Sequence, residues 1–187
     1  MSGLATSLRG ITGAPVLGIV GWKKSGKTTL VVSLVAELTR RGRCIATIKH
    51  AHHDIQIDAD ETDSARHRRA GAVEAAVVSP HRWAIVSDTH ETGEPRLEDI
   101  IARLAPCDLI LVEGHKRAPI PKIEVRRQAA ETQQPLAGTD NSIIAIVSDM
   151  AVSDAGLPVF DPDDIDGLVA FIERTFLPSA TPDGRSP

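Results

Sequence analysis

Gly21-Trp-Lys-Lys-Ser-Gly26-Lys27-Thr28-Thr29-Leu30 decides the fold, because it lies between an apolar run, Val16-Leu17-Gly18-Ile19-Val20, and a helical pattern. Strand, glycine-bounded loop and helix is the context that the spacing G-x-x-x-x-G-K-[ST] requires. Gly21 and Gly26 permit backbone angles that turn successive N–H groups inward, forming a nest for phosphate oxygens. A helix opening near Lys27 adds unpaired N–H groups and the positive end of its dipole. Lys27 then reaches the β- and γ-phosphates of a nucleotide, and the Thr28 hydroxyl can ligate Mg²⁺.

Working outward, Leu30, Val31, Leu34, Val35 and Leu38 mark one face of a helix that runs to about Arg41 and stops at Gly42. Residues 44–49 read as a second strand, followed by Lys49-His50-Ala51-His52-His53 and an acidic loop over 54–63. A short helix over 64–70 takes Thr62 or Asp63 as its cap. Residues 73–78 and 83–86 form a hairpin through Ser79-Pro80-His81-Arg82. Leu97, Ile100, Ile101 and Leu104 give a third helix, and Asp108-Leu-Ile-Leu-Val-Glu113-Gly114 an unbroken apolar strand ending in an acid.

Ile123 and Val125 make a short strand, 126–141 a loop and 143–147 a buried strand. Asp161-Pro162-Asp163-Asp164 then starts a last helix, with Pro162 at its first position. Ile165, Leu168, Val169, Ile172 and Phe176 are its apolar face. Apolar strands alternating with helices predict α/β architecture. The expectation is the three-layer fold of P-loop nucleoside triphosphatases, mostly parallel, with one antiparallel hairpin. In such sheets ligands bind at the carboxyl ends of the strands. The expected organisation is a disordered leader over 1–14, a single domain over 15–177 and a disordered tail over 178–187.

The 187 residues suffice for one domain with a real core, built of Val, Ile, Leu and Ala because aromatics are only 3% and Tyr is absent. A net charge of −4 leaves no electrostatic footprint for nucleic acid. No apolar run approaches the ~18 residues of a membrane span, and the N-terminus carries no secretory signal pattern. Cys44 and Cys107 lack metal-ligand spacing and read as buried, reduced thiols, which places the protein in the cytoplasm.

Several other positions can carry chemistry. Glu113 at its strand end either handles Mg²⁺ and its water or simply faces solvent. His50, His52 and His53 offer imidazoles for a transition metal or, beside Lys49, contacts to a phosphate or pterin. Asp63 with Arg66, Arg68 and Arg69 reads as a nucleotide-sensing switch or as a capped, solvated helix. Lys116, Arg117, Lys122, Arg126 and Arg127 form a basic region that holds a second anion or is plain surface. Asp149 can accept from the ring N–H and exocyclic amine of guanine, favouring GTP, or can shape a turn. Trp22, too large to bury within the loop, stacks on a ligand or partner.

Four ordered motifs carry a family resemblance: the glycine loop with Thr28-Thr29-Leu30, Ile48-Lys-His-Ala-His-His53, Asp63-Ser-Ala-Arg-His-Arg-Arg-Ala-Gly-Ala72, and Leu111-Val-Glu-Gly-His-Lys116 with Pro121-Lys-Ile-Glu124. Over residues 16–176 the chain resembles the molybdopterin-guanine dinucleotide biosynthesis adapter (MobB) family. The resemblance implies a dimeric, GTP-binding, weakly hydrolytic cytoplasmic protein. Its task would be to assist the nucleotidyltransferase that joins GMP to molybdopterin. It further implies Gly21, Trp22, Lys24, Ser25, Gly26, Lys27, Thr28 and Thr29 as phosphate cradle, with Lys49, His50 and His53 and the segment from Asp63 to Arg69 facing the ligand cleft; Asp149 joins the site from its own guanine chemistry, and molybdopterin is a further candidate ligand. Thr28 and Glu113 would hold Mg²⁺, and Lys27, Glu113 and Asp63 would serve any hydrolysis.

Two positions depart from the family pattern. Glu61-Thr62 stand where Gly-Lys is frequent, and His115 where an aromatic such as Phe is common. Trp22 replaces the lysine of deviant-loop ATPases, which argues against that type. The readings from other classes are an ATP-dependent small-molecule kinase, with Asp58 or Asp63 as base, and a metal-loading accessory GTPase built on the histidines.

Overall fold

The computed structural model describes residues 13–51, 62–89, 93–152 and 156–177. The expected leader up to residue 12 and the tail from 178 lie outside them, as do His52, His53, Asp54 and Asp58 of the histidine and acidic loop. The chain divides into two compact units, one built from the chain up to His50 and from Ile101 onward, the other from the stretch between.

The larger unit is a six-stranded parallel sheet. Its strands are β1 (Val16–Gly21), β2 (Ile45–Lys49), β5 (Leu109–Glu113), β6 (Lys122–Arg126), β7 (Ile143–Ser148) and β8 (Val159–Phe160). In space they run β2-β5-β1-β6-β7-β8. β1 is central and buried throughout, which its uninterrupted apolar sequence dictates, since a parallel strand is covered on both faces. β8, two residues long, has too little sequence to show a period and was not foreseen.

Side chains alternate across a strand, so Leu17, Ile19, Leu109, Leu111, Ile123, Val125, Ala145 and Val147 fall on one face. They pack there with Leu30, Val31, Leu34 and Leu38 of α1 (Lys27–Arg40) and Leu168, Val169 and Ile172 of α4 (Ile165–Phe176). Leu34 and Leu38 are fully buried, and truncating either to Ala would cost about 2–5 kcal/mol. α1 is tied to α4 by charge as well: Arg41 reaches Asp166 at 2.7 Å and Glu173 at 3.1 Å.

α4 starts later than its sequence suggests. Asp164 is the cap, accepting from the Gly167 N–H at 3.0 Å. Pro162 lies ahead of the helix, in a turn closed by the Asp164 N–H on the Asp161 carbonyl. The cysteines also differ from expectation. Both are free, but Cys44 is exposed, just ahead of the edge strand β2, and Cys107 is half-buried.

The smaller unit holds α2 (Asp63–Arg69), capped by Thr62, and the hairpin of β3 (Glu74–Val78) with β4 (Trp83–Ser87). Ser79 and Arg82 close its turn, where the sequence placed it. α3 (Leu97–Ile101) leads back to the larger unit and ends at Ile101, so Leu104 belongs to a following turn rather than to the helix. Among the described residues no helix is long and apolar enough to cross a membrane.

Candidate functional site

Parallel register brings the strand ends to one edge. Glu113 of β5 is level with Ile19 of β1 on one side and Lys49 of β2 on the other, and Gly21 is level with Val125 of β6. Gly21 must be glycine for space: a Cβ there would run into the Val125 carbonyl and the Ser25 hydroxyl. Gly26 must be glycine for conformation, since it caps α1 with φ 87°. Between them Lys24 holds a positive φ of 62°, and the Ser25 N–H returns to the Trp22 carbonyl at 3.1 Å.

The Ser25 hydroxyl is buried and has no hydrogen bond among the described residues. The Lys27 ammonium meets the Trp22 carbonyl at 2.7 Å. Burial, then repulsion from Lys116, pulls the Lys27 pKa below its usual value, with Glu113 opposing and Lys49 adding to the pull. Lys116, also lowered by burial, sits 3.7 Å above the Trp22 ring. A buried hydroxyl without a partner beside destabilised ammonium groups is what a phosphate would satisfy.

Thr28 donates to Glu113 at 2.6 Å, so a hydroxyl and a carboxylate oxygen share one point at the foot of the loop. Lys49 stands 3.6 Å from the same carboxylate oxygen and 3.5 Å from the Thr28 hydroxyl. This donor set fits Mg²⁺, a hard cation that takes oxygen ligands and binds at the same edge as substrate phosphates.

The sequence model of the family described as molybdopterin guanine dinucleotide synthesis protein B (MobB) matches residues 16–149. The chain belongs to the MobB family. It is 35% identical over 167 residues to the molybdopterin-guanine dinucleotide biosynthesis adapter protein of Escherichia coli (strain K12), covering 88% of this chain and 95% of that one. It is 37% identical over 163 residues to the adapter of the same name from Haemophilus influenzae, covering 86% and 88%. Among solved structures, a MobB homologue from Bacillus stearothermophilus superposes with a TM-score of 0.63 at 28% identity, over 85% of this chain and 95% of that one.

Other candidates of this MobB chain fare differently. His50 follows β2 and stacks on His115, ring centroids 4.1 Å apart, so the imidazole meets a residue far along the chain. Asp63 belongs to the smaller unit, where it is highly exposed and ion-paired with Arg66 at 3.5 Å. Asp149 follows β7 at the same edge as the loop, and one of its oxygens accepts the Gln128 N–H at 3.0 Å. Lys23 and Lys24 turn outward to Glu131, at 3.3 and 3.4 Å.

The basic region read as one patch is split. Lys122 and Arg126 are buried, the first against Asp140 at 2.9 Å, the second against Glu124 at 2.8 Å, so neither is surface nor open to an anion. Residues that hold the loop's outer rim went unnoticed in the sequence: Glu131, and Gln134, whose carbonyl accepts the Trp22 indole N–H at 2.6 Å. Contacts across more than a hundred residues, one of them to a main-chain oxygen, leave no local signal.

Proposed function

We propose that this protein binds GTP with Mg²⁺ in the cradle between β1 and α1, and acts as an adapter in molybdenum cofactor biosynthesis, assisting the enzyme that attaches GMP to molybdopterin. The observation that carries the nucleotide reading is the pairing of an unsatisfied, buried Ser25 hydroxyl with ammonium groups in excess: Lys27 and Lys49 act on one carboxylate, Glu113, while Lys116 adds repulsion on Lys27. Main-chain amides of residues 21–29 and Lys27 would hold the phosphates, and Thr28 and Glu113 the metal. Lys49, His50, His53 and Asp149 would face the ligand, and Lys116 leaves a positive site for the anionic pterin.

Binding is the main task and hydrolysis is slow, because turnover needs an oriented water and charge stabilisation beyond Lys27 and the metal. Asp63 would act in that step only through the switch segment it begins. The adapter works as a cytoplasmic homodimer. The exposed apolar side chains Val78, Trp83 and Ile85 of the hairpin support a second copy as partner, since a lone two-stranded ribbon is marginal in water.

Calorimetry with GTP, GDP and ATP, with and without Mg²⁺, tests the reading. Tight, Mg²⁺-strengthened binding of GTP over ATP is expected, and no binding of any of the three would overturn it.

A further inference from the structure

The phosphate cradle accounts for one end of a nucleotide. The nucleoside end must leave it over the first turn of α1, and a cleft of about 160 Å³ opens there, lined by Thr29 and Ser33 of α1, Arg127 beyond β6, and Pro162 and Asp163 of the turn before α4. That volume is below the ~300 Å³ of a site that takes in a whole small molecule, and suits a single ring system.

Two polar groups in the cleft lack partners. The Arg127 Nε is buried and makes no hydrogen bond among the described residues, and it lies 3.0 Å from where a Cβ on Gly26 would stand. Its guanidinium therefore lies against the glycine that caps the helix. Asp163 is exposed, and no hydrogen bond or ion pair engages its carboxylate among the described residues, although its N–H is held by Asp161 at 2.8 Å. Asp149, by contrast, spends one oxygen on the Gln128 N–H, next in the chain to Arg127.

From this arrangement we propose, on the footing that the cradle binds a nucleotide, that the cleft is the base subsite and that Asp163 rather than Asp149 reads the base. The planar Arg127 guanidinium stacks on the purine face and holds it against the first turn of α1. The Asp163 carboxylate, an acceptor only, takes the ring N–H and exocyclic amine that guanine presents side by side; adenine presents no such pair. Asp149 is a positioning residue, fixing the turn from which Arg127 projects.

Calorimetry with tripolyphosphate, GTP and ATP, all with Mg²⁺, separates the two ends. Wild type binds GTP at least about tenfold more tightly than tripolyphosphate. Ser33→Leu, which fills the cleft, and Arg127→Ala each bring GTP to within about threefold of tripolyphosphate, whose own affinity is unchanged. Asp163→Asn lowers the GTP-to-ATP preference about tenfold, and Asp149→Asn moves it less.

A GTP advantage that survives Ser33→Leu and Arg127→Ala, in variants that melt as wild type does, overturns the proposal while leaving the cradle intact. Equal losses of GTP and tripolyphosphate in Arg127→Ala make Arg127 a phosphate ligand and overturn it too. If neither GTP nor tripolyphosphate binds the wild type, the cradle reading fails and this one falls with it.

Discussion

β6 and the loop edge both hold basic side chains, yet they treat them in opposite ways. On β6, Lys122 and Arg126 are buried with a carboxylate each, and Glu124 between them is saturated: it accepts from Arg126, from the Leu136 N–H and from the Ala137 N–H, each at 2.8 Å. At the strand ends Lys27 and Lys49 share one acid, Glu113, Lys116 adds repulsion on Lys27, and the Lys27 and Lys116 ammonium groups are destabilised by partial burial. The first arrangement secures the fold and leaves no charge for a ligand. The second costs the empty protein something, and a phosphate would restore it.

The sharpest way to break the comparison is Glu124→Ala, which takes away the buried carboxylate that accepts from the Arg126 guanidinium and from two backbone N–H groups. A loss of about 3–5 kcal/mol is expected in denaturant melts. A cost below 1 kcal/mol would show that the buried charges on β6 do not support the fold. Next in size is Lys27→Ala. GTP affinity should fall on the order of 100-fold, while thermal stability stays level or rises. A variant that binds normally, or one that unfolds, would erase the contrast between the two regions. Glu113→Ala should lower Mg²⁺-dependent turnover more than GTP affinity, measured by phosphate release and calorimetry side by side; the reverse pattern would give Glu113 a binding role only.

A pH experiment sharpens the same point. Because the Lys27 pKa is lowered in the free protein and phosphate favours the charged form, GTP binding should take up protons. Uptake should be absent at pH well below the lowered value and grow as pH rises towards it, which calorimetry in buffers of different ionisation enthalpy reads directly. The smallest effect belongs to Glu37, whose carboxyl is held at about 2, against 4.5 ordinarily, by hydrogen bonds from Arg40 and Arg41. Its folded-state pKa is depressed, so its contribution is complete above about 4.5 and lost as pH falls through about 2. Glu37→Gln should flatten that part of the melting-temperature profile; an unchanged slope would remove Glu37 from it.

Local rules made much of the molecule legible. The glycine spacing specified the loop between β1 and α1, and a 3.6-residue period the buried face of α1. Uninterrupted apolar runs specified the inner strands, and a four-residue turn the hairpin. Where legibility failed, the cause was distant. Lys122-Ile-Glu-Val-Arg126 alternates charged and apolar residues, which by itself predicts one wet face. The loop over residues 127–142 covers that face, with Leu136 and Ala137 donating to Glu124, so the charges became interior. Nor does any local pattern announce that one Asp149 oxygen accepts from the Gln128 N–H, 21 residues back in the chain.

The sequence by itself determined where the glycine loop turns into the first helix and which stretches form strands, because sterics at glycine and side-chain periodicity act over a few residues. Tertiary structure alone decided which charges meet. It set Thr28, Lys49 and Glu113 together, placed Lys116 over Trp22 and laid Arg127 against Gly26. Burial and partnership depend on residues far along the chain, and no short window carries that information.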